Sequence, residues 1–220
     1  MKNVLAFSGS PRSQGNSVVM LNNFLKGASE NTENIVIVNP YKAKINYCTG
    51  CLRCNMLKEC SIRNDDWKEL SEKILAADIL VFAAPVYFHH LPAPLKNIVD
   101  RFRSFVNVQI TEKGIDHTPW KKWNKDFVVI LSMGSSDDVD AEPIIDLFKY
   151  MTEILGSKNR LHIIKGTRLA ISRQVERSKE ELEILYPKLN LPLHLVESDY
   201  EKNQQLLLDC ADLGRDLSIK

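Results

Sequence analysis

Short apolar runs recur along the chain, and segments with the three-to-four-residue spacing of amphipathic helices separate them. The runs lie at Val4–Ser8, Ile35–Val38, Ile79–Ala84, Phe127–Ser132 and Leu161–Ile164. The helix-type segments are Ser17–Ser29, Asp65–Ala77, Pro94–Phe105, Ala141–Gly156 and, at the end, Tyr200–Leu217. Strands that alternate with helices in this way predict an α/β protein, with a five-stranded parallel sheet covered by helices on both faces.

Two segments depart from this alternation. Residues 41–64 carry most of the cysteines and little periodicity, and residues 173–199 contain a charged stretch followed by two prolines. The full length of 220 residues suits one domain with a substantial core. We therefore expect a single domain over 1–220, with a cysteine-rich excursion at 41–64. The extended C-terminal segment at 173–199 is expected to be surface cover or a subunit contact.

The loop after the first strand is rich in glycine and hydroxyl groups. It reads Ser8-Gly9-Ser10-Pro11-Arg12-Ser13-Gln14-Gly15-Asn16-Ser17. A helix N-terminus presents unpaired N–H groups and a partial positive charge, so a phosphate is favoured here. Neither a Walker A lysine nor a G-x-G-x-x-G pattern is present, which favours an unreactive phosphomonoester over a triphosphate. The alternative is an ordinary turn capped by Asn16 or Ser17.

Two further loops are expected at the same sheet edge, Pro85-Val86-Tyr87-Phe88 after the third strand and Met133-Gly134 after the fourth. In a doubly wound sheet, ligands bind outside the carboxyl ends of the strands where the strand order reverses. The rings of Tyr87 and Phe88 suit a planar heteroaromatic ligand, although ordinary packing would also explain them. We interpret His89 and His90 as a rim or packing feature, with a general base as the alternative, and no side chain is assigned a catalytic role.

Three of these segments together carry a family resemblance. In chain order, the segments are Gly9-Ser10-Pro11-Arg12 with Gly15-Asn16-Ser17, Pro85-Val86-Tyr87-Phe88, and Leu95-Lys96-Asn97-Ile98-Val99-Asp100-Arg101. They resemble the NADPH-dependent FMN reductase branch of the flavodoxin-like superfamily. The resemblance covers about residues 1–165. His89-His90 departs from it, because the family usually has a small residue there, and the tail beyond about 170 is longer than the family minimum.

The resemblance implies a flavodoxin-like, doubly wound fold and bound FMN. It places the FMN phosphate on Ser10, Arg12, Asn16 and Ser17, and the flavin ring against Pro85, Val86, Tyr87, Phe88, Met133 and Gly134. It also implies NAD(P)H as the electron donor and a homodimer or homotetramer as the assembly.

The cysteines carry the second signal. Four of the five follow the spacing Cys48-x2-Cys51-x2-Cys54-x5-Cys60. Such clustering is unlike a secreted disulfide framework and favours metal or redox chemistry. The spacing resembles that of archaeal-type iron–sulfur flavoproteins, which implies that these four cysteines bind a [4Fe-4S] cluster. Zinc, unmetallated thiols and a labile disulfide are the alternatives. Cys210, in the last helix-type segment, is expected to be a buried small hydrophobe.

The balance of charged residues bears on which classes of binding partner are expected. Lys and Arg number 29 against 28 Asp and Glu, which argues against a nucleic-acid or membrane-surface partner. No apolar stretch approaches the roughly 20 residues that span a bilayer. On this reasoning we expect a cytoplasmic protein.

Three functions follow as hypotheses. The first is an FMN-dependent oxidoreductase that passes electrons from NAD(P)H through bound FMN to a quinone-like, flavin or iron–sulfur acceptor. The second is an iron–sulfur flavoprotein for electron transfer that exchanges electrons with a ferredoxin-type partner and has no small substrate of its own. The third is a zinc-stapled nucleotide-binding protein without redox activity.

Overall fold

The five apolar runs form one parallel sheet in the computed structural model, which describes residues 1–219. The strands of the chain are β1 (Val4–Ser8), β2 (Ile35–Val38), β3 (Ile79–Pro85), β4 (Val106–Thr111), β5 (Gly114–Pro119), β6 (Asp126–Ser132) and β7 (Arg160–Gly166). The sheet has the order β2-β1-β3-β6-β7, and β4 and β5 form a separate antiparallel pair. This is the flavodoxin-like order expected from the sequence, with the reversal between β1 and β3.

Helices cover both faces of the sheet, as the alternation predicts. The α-helices of the described residues are α1 (Asn16–Ala28), α2 (Cys54–Leu57), α3 (Trp67–Ala76), α4 (Ala93–Arg101), α5 (Glu142–Leu155), α6 (Lys179–Leu185) and α7 (Val196–Ser218). Alternate residues of β1 and β3 enter two cores, one shared with α1 and α7 and the other with α3, α4 and α5. None of these helices, within residues 1–219, is long and apolar enough to cross a membrane.

Phe82 lies at the centre of the larger core. Its ring centroid is 4.9 Å from that of Phe7, 6.3 Å from that of Phe127 and 4.8 Å from that of Phe148. These aromatic contacts join β1, β3, β6 and α5. The strands whose carboxyl ends form the candidate site are therefore held by dense aromatic packing.

The first and last helices pack at close range. A Cβ atom at Gly27 would lie 1.8 Å from the Ala211 carbonyl oxygen, and one at Gly214 would lie 2.0 Å from the Phe24 carbonyl oxygen. Only glycine permits these approaches. Cys210 is buried in α7, as expected. The packing fixes α1, whose N-terminus borders the candidate site.

The structure corrects several element boundaries. The helix expected over Pro94–Phe105 ends at Arg101 and continues as a 3₁₀ turn over Phe102–Phe105. The β4–β5 hairpin was not predicted, because half of its strand residues are exposed and its turn lacks an Asn-Gly signal.

Helix α6 was not predicted either, although the sequence carries its start signal. Ser178 and Glu181 form a reciprocal capping box at its N-terminus. Segment 173–199 builds a small core of its own from Leu182, Leu185, Tyr186 and Val196.

Candidate functional site

A cavity of about 120 Å³ lies at the carboxyl ends of β1, β3 and β6. Its lining is Ser10, Arg12, Gly15, Asn16, Ser17, Pro85, Val86, Tyr87, Ser132, Gly134, Leu169 and Ala170. The loops after the first, third and fourth sheet strands meet here, as the sequence predicts. The loop after β7 adds a wall, through Leu169 and Ala170, that sequence reasoning missed.

The loop after β1 is a compact turn that leads into α1. The backbone N–H of Arg12 donates to Ser10 Oγ at 3.1 Å, and the Ser10 hydroxyl is 3.2 Å from the Arg12 carbonyl oxygen, to which it donates. A Cβ atom at Gly15 would lie 2.6 Å from Ser10 Oγ, so the turn requires glycine there. Gly15 occupies the N-cap position and has no side chain to cap the helix, so neither Asn16 nor Ser17 is the N-cap.

Ser17 provides the fit test for a phosphate. Its side chain is 1% exposed, and its Oγ has no hydrogen-bond partner within residues 1–219. A buried hydroxyl without a partner is unfavourable unless a ligand supplies one. Ser17 lies in the first turn of α1, where N–H groups and the helix dipole favour an anion. The FMN phosphate fits this position.

Asn16 has a different arrangement from the one expected. Its Nδ2 donates to the carbonyl oxygens of Leu169 and Ile171 at 3.2 and 2.8 Å, and its Oδ1 accepts from the Val175 N–H at 3.0 Å. Both ends of the amide are therefore committed to the loop after β7. The Asn16 side chain thus holds this loop against the start of α1, and contact of Asn16 with the phosphate stays a prediction.

Gln174 completes the support of this loop, and sequence reasoning missed it. The buried Oε1 accepts from the N–H groups of Ala170 and Ile171 at 3.0 and 3.1 Å, and Nε2 donates to the Arg168 carbonyl at 2.7 Å. Arg12 Nη1 reaches the same loop, donating to the Ala170 carbonyl at 3.2 Å. The rule that ligands bind at carboxyl ends of strands would have pointed to the loop after β7.

A tight turn after β3 decides which aromatic ring reaches the cavity. The N–H of Tyr87 donates to the His90 carbonyl at 2.9 Å, and the N–H of His90 donates to the Tyr87 carbonyl at 3.0 Å. Phe88 and His89, between them, have φ angles of 49° and 60°. Positive φ at both central positions is the type I′ geometry, which normally favours Asn and Gly, so this turn is strained.

The consequence differs for the two aromatic residues. Tyr87 lines the cavity with Pro85 and Val86, whereas Phe88 is wholly exposed and lies outside the lining. The contact of Phe88 with the flavin ring stays a prediction, and the turn leaves this side chain exposed to solvent. His89 Nδ1 is 3.5 Å from Asp140 Oδ1. His90 Nδ1 accepts from the Leu91 N–H at 2.9 Å, and burial lowers the pKa of His90.

Of the neighbouring residues Met133 and Gly134, only one lines the cavity. Gly134 lines the cavity, but Met133 is buried in the larger core. The Met133 N–H donates to the Gly166 carbonyl at 2.9 Å, and its carbonyl accepts from the Leu169 N–H at 2.8 Å. Met133 therefore ties the ends of β6 and β7 together and lies outside the cavity lining, and its contact with the flavin ring stays a prediction.

A second cavity, of about 20 Å³, is lined by all four cysteines of the motif. Cys48 and Cys51 are exposed, Cys54 is buried and Cys60 is half-buried. A hydrogen bond from the Ser61 hydroxyl is the main reason why the pKa of Cys51 falls to about 7. Burial raises the pKa of Cys54, while the Arg103 guanidinium opposes this rise.

The four cysteine thiols could bind either a single metal ion or a [4Fe-4S] cluster, and the two need different sulfur spacings. Among residues 1–219, no three His, Cys, Asp or Glu side chains are grouped as a single metal ion requires. Thiolates on one zinc ion lie within about 4 Å of each other, because the Zn–S bond is about 2.3 Å. A [4Fe-4S] cluster binds each thiolate to a different iron and so spaces them more widely. The four thiols that line one cavity are the donor set that a [4Fe-4S] cluster uses, so the chemistry of the donors, though not their grouping, suits such a cluster.

The fold and the first cavity define an α/β mononucleotide-binding protein with its site at the topological switch point. Residues 2–176 match the NADPH-dependent FMN reductase family, and the chain belongs to that family.

Similarity to individual proteins agrees with this assignment. The chain is 33% identical over 131 residues to an iron-sulfur flavoprotein of Archaeoglobus fulgidus, which is 60% of this chain and 56% of the relative. The match thus spans little more than half the length of that relative.

Solved structures share the fold. The azoreductase AzrA superposes with a TM-score of 0.62 at 17% identity, covering 97% of this chain and 99% of that one. The NAD(P)H:quinone oxidoreductase from Methanothermobacter marburgensis superposes with a TM-score of 0.59 at 20% identity, covering 98% of both chains.

Proposed function

We propose that this protein is an FMN-dependent oxidoreductase. It would pass electrons from NAD(P)H through bound FMN to a quinone-like, flavin or iron–sulfur acceptor. The observation that carries the proposal is the buried, unpartnered hydroxyl of Ser17 at a helix N-terminus inside the switch-point cavity. Membership of the NADPH-dependent FMN reductase family supports it.

The roles of the residues follow from their positions. FMN, when bound, supplies hydride acceptance and electron transfer. Ser10, Ser17 and the N–H groups at the start of α1 would bind its phosphate. Tyr87 and the backbone at Pro85 and Gly134 would border its ring. Asn16 and Gln174 hold the loop after β7 in place as the remaining wall.

A second candidate is an iron–sulfur flavoprotein that exchanges electrons with a ferredoxin-type partner. The specific observation in its favour is that the four cysteines line one cavity. The name of the relative from Archaeoglobus fulgidus agrees with it.

One experiment addresses both candidates. Protein purified without air is expected to be yellow, and NADH or NADPH should bleach its flavin absorbance. Reoxidation by a small quinone would then establish turnover. Iron and sulfide assays should give about four irons per chain. Cys54→Ala should lose the iron and keep the flavin, whereas Cys210→Ala, at a buried cysteine outside the motif, should keep both.

The outcomes separate the candidates. A preparation that remains colourless after FMN addition would refute both. A flavin-containing protein that takes up no iron on reconstitution would leave the reductase and remove the iron–sulfur flavoprotein. Flavin that is reduced by dithionite but by neither nicotinamide nucleotide would favour the electron-transfer protein.

A further inference from the structure

Arg101, the last residue of α4, and Arg103, in the 3₁₀ turn that follows, donate hydrogen bonds to sulfur atoms of the cysteine motif. Arg101 Nη2 is 3.3 Å from Cys60 Sγ, and Arg103 Nη1 is 3.4 Å from Cys54 Sγ. Both arginines and both cysteines line the same cavity. The spacing of the cysteines alone gives no indication of these donors, which come from a helix some forty residues later in the chain.

Arg101 has its charge neutralised and serves the local structure. The guanidinium is buried, and its Nη1 contacts Asp65 Oδ2 at 2.6 Å. It also donates to the Asn46 carbonyl at 2.6 Å and lies 4.9 Å from the centroid of the Trp67 ring. Removing this side chain would leave a buried carboxylate unpaired, so Arg101 is unsuitable as a probe of the sulfurs.

Arg103 differs in its charge environment. Besides Cys54 Sγ, its guanidinium donates to the Val106 carbonyl at 2.8 Å and to Asn55 Oδ1 at 3.0 Å. No carboxylate lies within ion-pair distance of it in the part of the chain that the structure describes. Arg103 is thus a half-buried cation whose nearest anionic partner would be a thiolate of Cys54.

We propose that Arg103 is a positioning residue that tunes the iron–sulfur centre of this protein by donating an N–H···S hydrogen bond to the ligand sulfur of Cys54. This inference rests on the proposed cluster. One electron taken from a reductant adds one negative charge to a cluster and its four thiolates. A guanidinium on a ligand sulfur stabilises that added charge, so it raises the reduction potential.

The test compares three variants of the anaerobically reconstituted protein. Arg103→Gln removes the charge, Arg103→Lys retains it without the planar fork, and Lys58→Gln removes an exposed charge from the same segment. The readout is the midpoint potential of the cluster, followed by electron paramagnetic resonance during a dithionite titration. FMN content in each variant reports whether the fold is retained.

We expect the reduced-to-oxidised ratio of the cluster at a fixed potential to fall about tenfold in Arg103→Gln, which is about 59 mV for a one-electron couple. The ratio should fall by less in Arg103→Lys. In Lys58→Gln it should equal that of the wild type, because solvent and salt screen the charge of Lys58. Iron should also leave Arg103→Gln faster during chelator challenge.

The results that overturn the proposal are distinct from those that overturn the proposed function. A wild type that binds FMN but takes up no iron refutes the cluster and this inference together. A wild type with a cluster whose potential is unchanged in Arg103→Gln refutes this inference alone. If Arg103→Gln lacks both flavin and iron, its fold is lost and Arg103→Lys is used in its place. An unchanged cluster potential in Arg103→Lys then refutes this inference alone.

Discussion

At the scale of single residues, Ser17 carries the argument for a phosphate. Its hydroxyl is buried at the start of α1 and has no partner in residues 1–219. The folded protein therefore tolerates an unpaired polar group at the position where a ligand would pair it. Such a local departure from hydrogen-bond satisfaction is typical of a functional site.

Ser17→Ala should weaken FMN binding while leaving or slightly raising the stability of the FMN-free protein. A hydrogen bond to a charged group contributes about 1.5–3 kcal/mol, so we expect a loss of affinity of about tenfold or more. Fluorescence titration gives the affinity and urea unfolding of apoprotein gives the stability.

The control for this change is Ser13→Ala, at an exposed hydroxyl of the same loop. It should bind FMN as the wild type does. Ser17→Asp places a carboxylate beside the phosphate and should abolish flavin retention. Equal flavin content in Ser17→Asp and wild type would show that the phosphate binds elsewhere.

At the scale of elements, the loop after β7 and the start of α1 form one unit. Asn16 bonds to three backbone groups of this loop, and Gln174 bonds to three more. These side chains substitute for the regular backbone pairing that a loop lacks. The wall of the cavity formed by Leu169 and Ala170 is therefore held in place by side-chain hydrogen bonds.

Gln174→Ala should loosen this wall. It removes the side-chain partner of two N–H groups and one carbonyl in a part-buried loop, and each lost hydrogen bond costs about 0.5–1.5 kcal/mol. We expect a lower unfolding free energy and weaker FMN binding together, measured by urea unfolding and fluorescence titration. Ser172→Ala, in the same loop, should change neither quantity. If Gln174→Ala lowers stability but binds FMN with unchanged affinity, the loop is not part of the site.

The cysteine segment is also supported by an element that the sequence did not reveal. Asn55 in α2 donates to the Val108 carbonyl at 2.8 Å and accepts from the Val108 N–H at 3.1 Å. The β4–β5 hairpin thus fixes the short helix that begins at Cys54. A segment with few apolar residues gains its order from this neighbour.

At the scale of the whole molecule, α4 connects the two candidate sites. It begins just after the Tyr87–His90 turn and ends at Arg101, and its nine residues span about 13 Å. Asn97, midway along it, donates to the Ile45 carbonyl of the cysteine segment at 2.7 Å. One helix therefore connects the cavity at the carboxyl ends of β1, β3 and β6 with the cavity lined by the four cysteines.

The expected homodimer or homotetramer stays a prediction. We expect the contact between subunits at an exposed apolar part of the surface. Met56 and Ile110, 79% and 77% exposed, lie on α2 and β4, which pack together. Sedimentation at micromolar concentration should show association. Ile110→Lys should shift the protein towards monomer, because burying an unpaired ammonium is unfavourable.

Ile184→Lys changes an equally apolar exposed residue of α6 and serves as the control. It should sediment like the wild type. If Ile184→Lys alone shifts the protein towards monomer, the contact between subunits lies in segment 173–199. A wild type that is monomeric throughout this range would remove the prediction.

The sequence by itself determined the five strands of the sheet, including the bounds of β1 and β2, and the five longer helices that alternate with them or close the chain, because the period of apolar residues encodes whether a segment is strand or helix. It also placed the loops at Ser10, Pro85 and Gly134 at one edge, since the carboxyl ends of parallel strands meet there. Tertiary structure decided what each side chain does. Asn16 turns to backbone groups more than 150 residues away, Phe88 turns to solvent, and Arg103 reaches Cys54. Partners so distant in sequence leave no periodic trace, because the folded chain alone brings them within hydrogen-bond distance.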